Sequence, residues 1–265
     1  MPKMLLYYFL ATVVLAATST AQPDLDNPLN KNFNKLHLLR RQGSFGGNSN
    51  GAWCSSWQYG VETNNIIGWK TVPEKCELYV ARYMLGERYG EDSKVVTKEA
   101  YLYAQSHTLS DDGKDVWLFD VDDTAVSNLP YYATNGFGVK PYDPESFHQW
   151  ILSEAAPALP KSLKLYKNLK TLGFKIIFLT GRRENERSAI ESNLKVAGYH
   201  TWELVLLKDD DYSGTTADFK AEQRKNLEDA GYRIVGNIGD QWTDLLGTNA
   251  GHRTFKLPNP LYYAA

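Results

Sequence analysis

Apolar and polar positions fall in blocks along this chain, and its second half repeats one block order three times. Residues 163–172 are apolar at helical spacing, Gly173 interrupts them, and residues 174–179 form an unbroken apolar run. Residues 189–197, Gly198 and residues 202–207 repeat the order, as do residues 217–230, Gly231 and residues 232–238. A glycine just past a helix adopts the left-handed conformation at little cost. Helices alternating with continuously apolar strands predict a parallel sheet covered on both faces. Residues 116–121 add a buried strand ahead of these modules. Two helical stretches are expected before it. One runs from Val72, with Pro73 suited to a first turn and Leu78, Ala81, Tyr83 and Leu85 giving a partly apolar face. The other spans residues 97–107, with Thr97 and Glu99 offering cap chemistry at its start. The fold class read from this pattern is α/β: a Rossmann-like parallel sheet flanked by helices, with an N-terminal helical segment.

The N-terminus breaks the pattern. Lys3 precedes an apolar run over residues 4–17, and Ser19-Thr20-Ala21 provides small residues before Gln22. This reads as a signal peptide over residues 1–21, too short for a membrane span. Residues 22–50 are mixed and polar and end in a Gly/Asn/Ser-rich stretch, as in a flexible lead or propeptide. Residues 51–265 then form one domain, with a small cap insert over about residues 125–160. A composition of 43% hydrophobic and 23% charged residues suits one well-cored unit.

Charge and cysteines narrow the class. The net charge is -2 and no long basic stretch occurs, which argues against a nucleic-acid partner and against an electrostatic hold on acidic membranes. Aromatics make up 13% of the chain, with 17 Tyr, which argues against disorder. The two cysteines, Cys54 and Cys76, lie in the secreted part. An even count in an oxidising compartment favours one disulfide over two buried thiols. No Asn-x-Ser/Thr acceptor occurs, so N-glycosylation is not expected.

The strand ends hold the candidate chemistry, since ligands of such sheets bind there. The first strand ends in Asp120-Val121-Asp122-Asp123-Thr124. Buried charges need a partner or a metal, although an acidic loop with helix caps is the plainer alternative. The next ends in Thr180-Gly181-Arg182, a hydroxyl and a glycine that let backbone amides close on an anion. The last ends in Gly239-Asp240-Gln241-Trp242-Thr243-Asp244, and the helix before it carries Lys220 near its start. Converging carboxylates repel unless a divalent cation sits among them. A hard, oxygen-ligated ion fits Mg²⁺, while the five scattered His match no zinc spacing.

The order Asp-x-Asp-x-Thr, Thr-Gly-Arg, Lys, Gly-Asp-x-x-x-Asp resembles the haloacid dehalogenase superfamily. Trp117-Leu118-Phe119-Asp120-Val121-Asp122-Asp123-Thr124, Asn128-Leu129-Pro130-Tyr131-Tyr132 and Gly239-Asp240-Gln241-Trp242-Thr243-Asp244-Leu245-Leu246-Gly247 are similar more closely to plant acid phosphatases and vegetative storage proteins, a class B-like group. So are Val61-Glu62-Thr63-Asn64-Asn65 and the Cys54/Cys76 pair. The resemblance implies a metal-dependent phosphomonoesterase acting on small phosphorylated substrates through an aspartyl-phosphate. It implies Asp120 as nucleophile and Asp122 as acid and base. Thr180, Gly181 and Lys220 would bind phosphate. Asp120, Asp122 (through its carbonyl), Asp240 and Asp244 would form the Mg²⁺ site, Asp244 as ligand or supporting acid. Lys220 is preferred to Lys208 because Phe219-Lys220-Ala221-Glu222 matches the family context. Asp123 is expected to be a local cap. The aromatic insert residues Tyr131, Tyr132, Phe137, Tyr142, Phe147 and Trp150 either stack on a leaving group or pack as core, with core favoured.

Two further functions stay open on this fold: a storage protein with little catalysis, and a phosphotransferase. Some vegetative storage relatives lack the nucleophilic aspartate, whereas this chain keeps Asp120. The destination is extracellular or vacuolar. Asn27-Pro28-Leu29 loosely resembles a plant vacuolar sorting signal and also reads as a turn. A homodimer is compatible with the resemblance.

Overall fold

The computed structural model describes residues 49–264. The expected signal peptide and the lead segment up to residue 48 lie outside the described residues. Five parallel strands form one sheet in the order β3-β2-β1-β4-β5. They are β1 Asp115–Phe119, β2 Lys175–Arg183, β3 Leu204–Lys208, β4 Arg233–Gly239 and β5 Arg253–Lys256. The chain steps outward from β1 to β3, then crosses to β4 on the other side of β1. That reversal opens a crevice at the carboxyl ends of β1, β2 and β4.

β1 explains why the sheet is central. All five of its residues are buried. Trp117 and Phe119 point into one apolar layer with Phe174, Phe178 and Phe255, while Val116 and Leu118 point into the other with Ile177, Phe219 and Leu227. Burying a large apolar side chain contributes about 1.5–3 kcal/mol, so a strand apolar on both faces belongs in the middle. Gly236 opposes Trp117 across the β1–β4 pair, and a side chain there would overlap the indole.

The three helix–glycine–strand modules appear as expected. The helices are α6 Pro160–Leu172, α7 Arg187–Val196 and α8 Thr216–Asp229. Gly173, Gly198 and Gly231 follow them with φ of 99°, 101° and 84°, the left-handed region that glycine occupies cheaply.

The prelude differs in extent from the sequence reading. It contains α1 Ser49–Glu62, a 3-10 turn Glu74–Cys76, α2 Glu77–Leu85 and α3 Glu87–Ser106. Thr97 does not cap a helix: it is buried inside α3, and its hydroxyl donates to the Ser93 carbonyl. α1 and the short edge strand β5 were not anticipated. A disulfide joins Cys54 in α1 to Cys76, both fully buried.

Residues 125–159 hold α4 Leu129–Thr134 and α5 Pro144–Leu152. Their aromatic residues divide. Tyr131, Tyr132 and Phe137 are buried in a third apolar cluster with Trp57, Val80 and Leu261, against which Phe147 and Trp150 pack, and Tyr142 is exposed. This cluster joins the helical prelude, the insert and the C-terminal tail into one body. A last short helix, α9 Trp242–Leu245, follows β4.

Candidate active site

Pairing with β4 carries on past the end of β1. The Asp120 N–H donates to the Ile238 carbonyl at 3.0 Å, which sets Asp120 beside the tip of β4. The chain then turns sharply. Asp123 takes a positive φ of 50°, and the N–H groups of Ala125 and Val126 both donate to the Val121 carbonyl. The turn brings Thr124 back, and its hydroxyl donates to Asp240 Oδ1 at 3.0 Å.

β4 ends at Gly239, followed by Asp240 and α9. The Gln241 N–H donates to Asp244 Oδ2 at 2.9 Å, so the Asp244 side chain folds back on the strand end. A side chain on Gly239 would overlap it. Asn237 and Arg224 hold the Asp244 carbonyl, each at 2.8 Å. Arg224 is fully buried and also donates to the carbonyls of Leu246 and Thr248, tying α8 to this loop.

α8 supplies Lys220. Its start is fixed by a capping box in which Thr215 and Asp218 satisfy each other's N–H groups. Lys220 Nζ lies 2.5 Å from Asp120 Oδ1 and also donates to Asp244 Oδ1. Lys208 Nζ instead donates to the Thr216 hydroxyl at 3.0 Å. Thr180 is buried within β2, where the register to β3 shifts between Leu179 and Arg183. Its Oγ1 accepts from the Arg182 N–H at 3.2 Å. A Cβ on Gly181 would stand 2.7 Å from the Thr216 methyl, so glycine admits the start of α8 at this point.

Asp120, Asp240 and Asp244 are all buried, and each offers an oxygen within 4.8 Å of the others. Lys220 contacts two of these three carboxylates, Asp120 and Asp244. Burial pushes the Asp120 carboxyl well above the usual range; Lys220 opposes this, and Asp244, Asp240 and Asp122 reinforce it. Burial and then Asp244 push Asp240 up to about 6. Burial disfavours the Lys220 ammonium, but Asp120 and Asp244 more than offset it and keep the lysine protonated. A cluster with surplus negative charge and only hard oxygen donors is one that a divalent cation would relieve.

The Asp122 carboxylate stands apart from this cluster. Arg182 grips both its oxygens, with Nε at 2.7 Å, and Asn128 Nδ2 donates to Oδ1 at 2.7 Å. Burial alone would raise its pKa, but Arg182 and Asn128 reverse the sign and hold it below the usual range. Asn128 is fixed in turn by Trp150, whose indole N–H donates to Asn128 Oδ1 at 2.8 Å. Arg182 lies over the Phe147 ring, 5.6 Å from its centre. Asp123 is fully buried and accepts from the Asn128 N–H at 2.9 Å, which makes it a brace for the turn. Arg182 and Asn128 stand within the sequence motifs with no role evident there. Asn259 and Tyr262 of the C-terminal tail, which carry no sequence signal, reach Asp240 at 2.7 and 3.3 Å.

Comparison with known proteins bears on this arrangement. Residues 42–265 match the family model of the HAD superfamily, subfamily IIIB (acid phosphatase). Acid phosphatase 1 of Solanum lycopersicum is 49% identical over 211 residues, covering 79% of this chain and 83% of that protein. The stem 28 kDa glycoprotein of Glycine max is 42% identical over 266 residues, 99% of both chains. Vegetative storage protein 1 of Arabidopsis thaliana is 42% identical over 264 residues, covering 98% and 96%. Among solved structures, the class C acid phosphatase from Bacillus anthracis superposes with a TM-score of 0.59 at 22% identity, covering 72% of this chain and 86% of that one, a likeness of fold.

Proposed function

The chain belongs to the acid phosphatases of HAD subfamily IIIB, and on that premise we propose that it hydrolyses small phosphomonoesters with Asp120 as nucleophile and Mg²⁺ as cofactor. The observation that carries this reading is the single lysine bridging Asp120 and Asp244 inside a buried three-carboxylate cluster at the strand ends.

Asp120, Asp240 and Asp244 would hold the cation, with the Asp122 carbonyl beside them. Bound there, Mg²⁺ neutralises charge between an anionic nucleophile and an anionic phosphate. The protein's own groups account for the rest. Lys220 orients the Asp120 carboxylate and offers a fixed positive charge to the phosphoryl oxygens. The Thr180 hydroxyl and the Gly181 N–H would offer donors to the phosphoryl oxygens. Asp120 Oδ attacks phosphorus, the ester oxygen leaves, and Asp122 gives that oxygen its proton. Asp122 then takes a proton from the water that cleaves the aspartyl-phosphate.

In the geometry described, Arg182 holds Asp122 as a carboxylate. That form suits the base half of the cycle. The acid half needs a proton on Asp122, so lower pH favours it, in keeping with an acid phosphatase. The insert over residues 125–159 covers this corner through Asn128, Phe147 and Trp150.

Phosphate release from an aryl phosphate tests the reading. The purified protein should be active with Mg²⁺, inactive with a chelator, and inactive as Asp120→Asn. Metal-independent turnover surviving in Asp120→Asn would overturn the mechanism. Equal transfer to an added alcohol would instead mark a phosphotransferase. Its relatives of near-full coverage include a vegetative storage protein, so accumulation in an extracellular or vacuolar compartment is a second role compatible with catalysis.

A further inference from the structure

The two oxygens of Asp240 have unequal surroundings. Oδ2 accepts from Gln241 Nε2 and Asn259 Nδ2, each at 2.7 Å, and from the Tyr262 hydroxyl at 3.3 Å. Oδ1 accepts from the Thr124 hydroxyl at 3.0 Å. A carboxylate oxygen has about two lone-pair positions, so Oδ2 is saturated and Oδ1 keeps the capacity to bind a cation.

Two of the three donors on Oδ2 come from the tail after β5. This tail forms no helix or strand, yet it is pinned at several points. The Leu257 N–H donates to the Gly239 carbonyl at 2.8 Å, and Leu261 is buried in the third apolar cluster. The Leu261 N–H donates to Asn259 Oδ1 at 2.9 Å, which fixes the amide so that Nδ2 faces Asp240. The Tyr262 ring stacks on Tyr132 with centres 5.3 Å apart. The Ala264 N–H donates to Gln241 Oε1 at 3.0 Å, which turns the Gln241 amide toward Asp240 as well. The tail thus passes over the tip of β4 and fixes one rotamer of one carboxylate.

We propose that this C-terminal tail is a strap that sets the metal affinity of the site, with Asn259 and Tyr262 as positioning residues for Asp240. The inference rests on the metal site proposed above. Donors that orient a metal-binding carboxylate change affinity by about 10- to 100-fold when removed.

Isothermal titration with Mg²⁺ on the purified wild type, Asn259→Ala and Tyr262→Phe tests it, alongside melting temperatures in chelator. Tyr262→Phe keeps the ring stack on Tyr132 and deletes only the hydroxyl. Asn259→Ala should weaken Mg²⁺ binding about tenfold or more, and Tyr262→Phe should weaken it less while the chelated protein melts near wild type. If Asn259→Ala does not fold, Tyr262→Phe alone decides. Wild-type dissociation constants in the folded variants would overturn the strap and leave the metal site standing. Affinity lost only in step with the melting temperature in chelator would also overturn it, since the tail would then be mere scaffold. No saturable Mg²⁺ binding by wild type would overturn both.

Discussion

Arg182 decides which proton form Asp122 takes before substrate arrives. Desolvation of this partly buried carboxyl raises its pKa, and two charge-assisted contacts reverse that. Removing the guanidinium returns Asp122 toward the protonated form, so its pKa rises. In the proposed mechanism the first chemical step needs Asp122 protonated, so kcat/KM should fall off above that pKa. In Arg182→Ala the alkaline limb of the kcat/KM profile should therefore move to higher pH. Arg182 also orients the Asp122 carboxyl, so its loss should lower the peak value by up to about 100-fold. A limb that stays in place would show that Arg182 does not control Asp122. At this scale the sequence disclosed what is local. Asp120, Asp122, Asp240 and Asp244 stand out because carboxylates at apolar strand ends need a reason. Asn128, Asn259 and Tyr262 do not stand out, because an amide or a phenol in a loop carries no pattern until the fold supplies its partner.

The strands are anchored at the end opposite the site. Asp115 opens β1 and pairs in register with Arg233, which opens β4. Arg233 Nε donates to Asp115 Oδ1 at 2.7 Å, and the Ser110 N–H donates to Oδ2 at 2.6 Å. Burial pushes the Asp115 carboxyl up, but these partners more than offset it and the net shift is downward. A depressed folded pKa contributes stability above the unfolded value of about 4, and that stability is lost as pH falls through the folded value. Asp115→Asn should thus cost about 1.5–3 kcal/mol at neutral pH. The gap to wild type in urea unfolding should close as the pH drops below the folded pKa. A gap independent of pH would mean that shape matters there, not charge. The elements carrying strong periodicity were legible: each helix–glycine–strand module falls within a few residues of its expected place. α1 was not, because its apolar residues are sparse and Gly51 and Gly60 interrupt it. α3 was read at half its length, since Gly90 and the charged run around it hide a first half that tertiary packing holds helical. β5 has four residues, two of them charged, and pairs only with β4.

The molecule as a whole joins a two-layered sheet to a third apolar cluster, and that cluster links the prelude and insert to the tail beside the site. The disulfide lies inside it, closing a loop with a sequence separation of 22. Reduction should lower the unfolding free energy by about 3 kcal/mol in the chain-entropy model, read as a shift in the urea midpoint with and without a reductant. An unchanged midpoint would mean that packing around Cys54 and Cys76 suffices. The parallel sheet and its strand-end crevice follow from the module rhythm; the strand order does not, nor does the third cluster. It assembles residues from four separate stretches, and only their burial together reveals it.

In the proposed mechanism Asp120 carries the phosphoryl group during turnover. The direct measurement is acid quenching of the enzyme during hydrolysis of an aryl phosphate, followed by mass analysis of the peptide that spans Asp120. Wild type should carry one phosphate on Asp120 at a level that tracks turnover, and Asp120→Asn should carry none and release none. Turnover without any phosphorylated carboxylate, or phosphate on Asp122 in an active Asp120→Asn variant, would contradict the account.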